Sequence, residues 1–161
     1  KMSPNTKKRI KIYCISILIP LAVGGLSALL TRNGMEKYAA LSRPPLSPPA
    51  ILFPIVWAVL YILMGISAAR IFENSNGSER KKALWIYAVQ LIFNFFWSIF
   101  FFGAGLRLLA LIWLFLLLLI VILMYFAFDK ISHGAAYLQI PYVLWLCFAA
   151  YLNFGTWFLN R

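Results

Sequence analysis

Five stretches of this chain, at about 10–30, 50–72, 83–103, 106–128 and 135–159, run on with almost no charge inside them. A helix rises 1.5 Å per residue, so each stretch is close to the roughly 20 residues needed to cross a bilayer's hydrocarbon core. The runs are continuous rather than alternating, which reads as helix and not as the strands of a barrel. The chain is therefore read as an all-α membrane protein, a bundle of five transmembrane helices forming a single domain over residues 1–161. No internal repeat is visible. Composition points the same way, with 63% hydrophobic and 12% charged residues, against roughly 45–50% and 25% in a soluble domain. The first run follows Lys7-Lys8-Arg9 and ends in small residues, as a signal peptide does. Its length makes it a retained span instead.

The net charge of +11 would suggest nucleic acid in a soluble protein. Here the basic residues cluster at the ends of apolar runs, where they meet headgroups and set orientation, so no nucleic-acid partner is expected. Ten Lys and Arg, from Lys1 and Lys7 to Lys130, fall on the side of the N-terminus. Five (Arg32, Lys37, Arg43, Arg107 and Arg161) fall on the other. In a bacterial cell membrane that bias puts the N-terminus in the cytoplasm and the loop after the first span outside. Cys14 and Cys147 stand alone in apolar runs and read as buried small hydrophobes.

That first loop, Thr31 to Pro49, is the long one. Pro44, Pro45, Pro48 and Pro49 make it a shaped lid, and Pro48-Pro49 read as a rigid entry to a helix from Ala50. Pro54 either belongs to the first turn of that helix or kinks it.

The interior of no span contains Asp, Glu, Lys or His. Proton-coupled exporters use an intramembrane carboxylate, and a buried haem uses a histidine, so neither is expected. No nucleophile–base pair, metal cluster or phosphate loop is present, and no cofactor is required. What remains is aromatic and amide. Trp57, Tyr61 and Met64 share one face of the second span. Gln90, Asn94 and Trp97 share a face of the third, with Ser98 and Phe101 alongside. Trp145, Phe148, Ala149 and Leu152 share a face of the fifth. Trp85 and Trp157 lie near span ends, as interfacial tryptophans do, whereas Trp145 is deep. The faces suit plain packing or a pocket, and the two amides suit helix-to-helix hydrogen bonds or a ligand. Gly24-Gly25, Ala28, Gly65 and Ala69 have the spacing of close helix approach or dimerisation.

Three motifs then coincide. They are Leu41-x-Arg-Pro-x-x-x-Pro-Pro-x-x-x-Phe-x-x-Val-Trp57-x-x-Leu-Tyr61-x-x-Met-Gly65, Gln90-Leu-x-x-Asn94-x-x-Trp97-Ser98-x-x-Phe-Phe, and Pro141-Tyr142-x-x-Trp145-x-x-Phe-Ala149-x-x-Leu-Asn153. In order and across essentially the whole chain they resemble the TspO/MBR family, the tryptophan-rich sensory proteins of bacteria and the translocator protein of mitochondria. The resemblance implies a five-helix bundle, commonly a homodimer, with an intramembrane pocket under the first loop. It implies binding of porphyrins such as protoporphyrin IX and of synthetic benzodiazepine and isoquinoline-type ligands, as a receptor or transporter. Mapped by motif, the implied pocket uses Tyr38, Pro48, Phe53, Trp57, Asn94, Trp97, Trp145 and Ala149, with Tyr61 beside Trp57. The enzymatic alternative it implies is light- and oxygen-dependent porphyrin breakdown, in which Trp57 and Trp145 would be redox participants. A regulatory scaffold whose pocket is filled with membrane lipid is the third reading. Lys37 and Leu46 stand where the family often has tryptophan. Tyr151 and Arg161 are too far apart for the family's sterol pattern, so no specific sterol site is expected.

Overall fold

The computed structural model describes residues 3–161, so Lys1 of the charge count lies outside the described residues. Helix α1 spans Pro4–Ala39, α2 Leu52–Asn74, α3 Gly77–Ser98, α4 Arg107–Asp129, α5 His133–Tyr137 and α6 Ile140–Leu159. Five of these segments, with α5 and α6 counted together, are long and apolar enough to cross a membrane. No strand occurs among the described residues.

The termini follow local chemistry. Ser3 caps α1, its hydroxyl accepting from the Thr6 amide at 3.2 Å, with Pro4 in the first turn. Pro54 lies in the first turn of α2, where its missing N–H costs nothing, so it does not kink the helix. Pro141 does the same for α6.

One expectation fails in its bounds. Thr31 to Pro49 is not a loop throughout, because α1 continues to Ala39 and the irregular segment is only 40–51. The extension is held by packing. Gly34 lies against the backbone of Phe102, where an added Cβ would fall 1.7 Å from the carbonyl oxygen. Met35, Glu36, Lys37, Ala39 and Ala40 offer no breaker before Ser42.

The bundle is apolar outside, and a set of amides and hydroxyls is buried within its apolar core. Gln90, Asn94, Gln139, Asn153 and Thr156 are fully buried. Leu18, Leu29, Ile112, Phe115, Leu119 and Leu144 are exposed. Such an arrangement is stable only where the surroundings are hydrocarbon. It also explains why Cys14 and Cys147 are exposed rather than buried, since a small apolar side chain gains no more from the core than from lipid.

α1 packs along α2 and, higher up, on α3; α4 lies between α3 and α6. After Ser98 the third helix widens into a π-helical turn, Ile99–Gly103, with the Ala104 amide donating to the Ile99 carbonyl at 2.7 Å. The consecutive rings Phe101 and Phe102 of this turn are both buried.

Candidate functional site

The proline segment is fastened as a lid. Pro45 and Leu46 occupy the corners of a tight turn closed by the Ser47 amide on the Pro44 carbonyl, with Leu46 at φ +70°. Tyr151 Oη donates to the Pro45 carbonyl at 2.7 Å, and Asn160 exchanges hydrogen bonds with the backbone of Ser42. Pro44 rests on α6 at Gly155, where a Cβ would come within 2.6 Å of its ring. Arg43 reaches the Pro48 carbonyl and lies over the Tyr38 ring.

Beneath the lid the aromatic faces converge. Tyr38 is fully buried and contacts the rings of Phe53, Phe101 and Phe102. Phe53 meets Trp145 edge-on, with centroids 5.9 Å apart. Trp57 stacks on Tyr61 and touches Trp97, Tyr142 and Trp145. Tyr38, Phe53, Trp57, Trp97, Trp145 and Ala149 thus bound one seam, and the space left between them is only about 10 Å³. That is about the least that holds one water. Two polar groups in the seam's walls, Tyr38 Oη and Trp145 Nε1–H, are buried without a hydrogen-bond partner among the described residues. In a medium of low polarity such groups raise the free energy unless something bonds to them.

Below the seam runs a hydrogen-bonded column. Tyr61 Oη donates to Asn94 Oδ1 at 2.7 Å, Asn94 Nδ2 donates to Tyr142 Oη at 2.8 Å, and Tyr142 Oη donates to Gln90 Oε1 at 2.8 Å. Trp97 Nε1 donates to Asn153 Oδ1, and Asn153 Nδ2 to the Arg107 carbonyl. Both polar atoms of Asn94 are occupied by protein, so its amide joins α2, α3 and α6 and bounds neither the seam nor its neighbours. Pro48 sits in the lid, half-buried, and likewise stands outside the seam.

Two larger spaces flank the seam. Between α1 and α2 lies a cavity of about 530 Å³ that shares Phe53, Trp57, Tyr61 and Phe102 with the aromatic cluster. Between α2 and α6 lies a lipid-facing groove of about 480 Å³ that includes Trp145, Leu60 and Phe148. Trp57 is the wall on one side and Trp145 the wall on the other. Phe101, Phe102 and Tyr142 have parts here that their motif positions alone did not assign. The α1–α2 cavity was signalled by Gly24-Gly25 and Ala28, whose spacing reads equally as close approach. Gly24 does make a close approach, since a Cβ there would lie 2.1 Å from the Tyr61 ring; at Gly25 nothing lies within 4 Å.

An apolar exterior, amides buried within an apolar core and a lidded aromatic seam with no charge in it define a multi-pass helical integral membrane protein with the makings of a hydrophobic ligand site. The chain belongs to the TspO/MBR family, whose sequence profile matches residues 16–158. It is 35% identical over 155 residues to the tryptophan-rich protein TspO of Chlorobaculum tepidum, covering 95% of this chain and 98% of the relative. It is 35% identical to the translocator protein of Bos taurus, covering 89% and 87%, and 37% identical to the protein CrtK of Rhodobacter capsulatus, covering 76% and 78%.

Proposed function

We propose that this protein is a membrane receptor, with transporter-like use of the same site, that binds porphyrins and related hydrophobic ligands in the seam under the first loop. One observation carries the reading. Three indoles from three helices, Trp57, Trp97 and Trp145, meet beneath a fastened proline lid, and two buried polar groups beside them have no hydrogen-bond partner among the described residues. A flat apolar macrocycle stacks on indole faces and accepts a hydrogen bond from an indole N–H. The seam is closed around side chains, so a ligand enters as Trp57 or Trp145 turns into the space beside it. Binding therefore includes a rearrangement of these rings, and Tyr38, Phe53 and Ala149 line the space they vacate.

The same reading places the N-terminus in the cytoplasm of a bacterial cell, because the inner ends of the helices carry the excess of Lys and Arg. It also includes a homodimer, as the family resemblance implies. Titration of the purified protein with protoporphyrin IX, followed by quenching of tryptophan fluorescence, tests the binding. Absence of saturable quenching removes the proposal.

A further inference from the structure

We propose that the half of the bundle on the N-terminal side holds an internal water site, in which one water bridges the Tyr87 hydroxyl of α3 and the Gln139 side-chain amide at the start of α6. Two helices bring these groups together. α3 and α6 run in the same direction, and the bond from Tyr142 Oη to Gln90 Oε1 at 2.8 Å fixes their relative level. Tyr87 stands three residues before Gln90, and Gln139 three before Tyr142. Gln139 has near-helical torsions, φ −88° and ψ −11°, so the helical spacing carries through to it. Residues three apart share a helix face. Tyr87 and Gln139 therefore enter the core from two helices at the same level, one turn below the Gln90–Tyr142 bond and away from the aromatic seam.

Both groups are buried and neither is paired. Gln139 is fully buried and Tyr87 is 7% exposed. Gln139 Nε2, Gln139 Oε1 and Tyr87 Oη have no hydrogen-bond partner among the described residues. Left dry in an apolar core, an amide and a phenol carry a desolvation penalty that nothing offsets. The polar groups around them are already committed. Gln90 is bonded to Tyr142 through its oxygen and contacts Met64 Sδ through its nitrogen, and Ser67 Oγ donates to the Ala135 carbonyl at 2.7 Å. One turn before Gln139 stand Ala135 and Ala136, both fully buried, whose methyl groups take little of the space that larger side chains would fill. The Tyr87 ring lies against Phe128 of α4, with centroids 6.3 Å apart, which holds its hydroxyl in place. The buried polar residues among those described are all neutral, so a neutral occupant suits this site and an ion does not. Water donates to Gln139 Oε1 and accepts from Tyr87 Oη, and buried waters sit at such otherwise unpaired groups. It extends the bonded interior one turn below the column and ties the break between α5 and α6 to α3.

Crystal structures of the full chain and of Tyr87→Phe, with thermal unfolding in detergent, test this. The wild type should show one ordered peak within hydrogen-bond distance of both Tyr87 Oη and the Gln139 amide, and Tyr87→Phe should weaken or remove it. Tyr87→Phe and Gln139→Leu should each lower the melting temperature by about 2–4 °C, the shift that one lost hydrogen bond produces in a chain of this size. The double variant should fall by less than the sum, because one water serves both side chains. An empty site in the wild type overturns the proposal. So does a rise or no change in melting temperature on either substitution, since an apolar replacement relieves the penalty of a polar group that was dry. An additive fall in the double variant overturns the shared water. Should Gln139→Leu not fold, the density and Tyr87→Phe decide alone.

Discussion

Trp57 of α2 and Trp145 of α6 meet at a right angle, with ring centroids 6.3 Å apart. Together with Phe53 they shut the seam, and each is also the boundary of a larger space, the α1–α2 cleft for Trp57 and the α2–α6 groove for Trp145. A turn of either ring joins the closed seam to a space already open. The pair is therefore both wall and gate.

The column beneath it makes a stability prediction. Tyr61→Phe removes one hydrogen bond, to Asn94, whereas Tyr142→Phe leaves both Asn94 Nδ2 and Gln90 Oε1 unpaired. Interhelical hydrogen bonds in membranes average about 0.6 kcal/mol and reach about 1.7. Tyr142→Phe should therefore destabilise about twice as much as Tyr61→Phe, read as thermal unfolding in detergent. Equal effects would show that Tyr142 is not the hub of the column.

Gly155→Ala should loosen the lid without unfolding the bundle. The new methyl meets Pro44 at 2.6 Å, and the nearby Tyr151–Pro45 and Asn160–Ser42 bonds must stretch to relieve it. Hydrogen exchange at the Ser47 amide, which closes the proline turn, should speed up while exchange within α3 stays unchanged.

Leu46 is 85% exposed and holds φ at +70°. A leucine in this left-handed region is disfavoured by about 1–2 kcal/mol, while asparagine tolerates it. Leu46→Asn should therefore raise stability by about 1 kcal/mol in detergent. A decrease would mean that the leucine side chain has a contact of its own, in the bilayer or with a ligand.

Under illumination in air, protoporphyrin IX bound to the protein should decay no faster than the same porphyrin in detergent alone. Faster decay, lost in Trp57→Phe or Trp145→Phe variants that still bind, would replace the receptor reading with porphyrin breakdown at these indoles.

Much of this was legible in the sequence because lipid imposes a simple code. Five apolar runs give five spans, and tryptophans and amides at helical spacing give the inward faces. The bounds of the first loop were not legible, because α1 is carried to Ala39 by Gly34 packing on a π-helical turn far along the chain. That turn has no sequence mark either, so the burial of Phe102 next to Phe101 was not read. Nor could the exposure of Cys14 and Cys147, since burial cannot be inferred from apolarity when the solvent is apolar. The motif placed Asn94 at the ligand, but its position opposite two tyrosine hydroxyls only emerges when α2, α3 and α6 are assembled. The space between α1 and α2 borders Gly25, whose missing side chain reads the same whether a neighbour or nothing lies beside it.

The most direct measurement is the affinity for protoporphyrin IX, by tryptophan quenching, of the wild type, Trp145→Phe and the double variant Trp57→Phe, Trp145→Phe. Losing an indole face and its N–H should weaken binding up to about tenfold in Trp145→Phe, on the scale of one aromatic contact of about 0.5–1.5 kcal/mol. The double variant should bind more weakly still. Saturable binding of equal strength in all three would contradict the account, because the porphyrin would then lie somewhere other than the seam that Trp57 and Trp145 close.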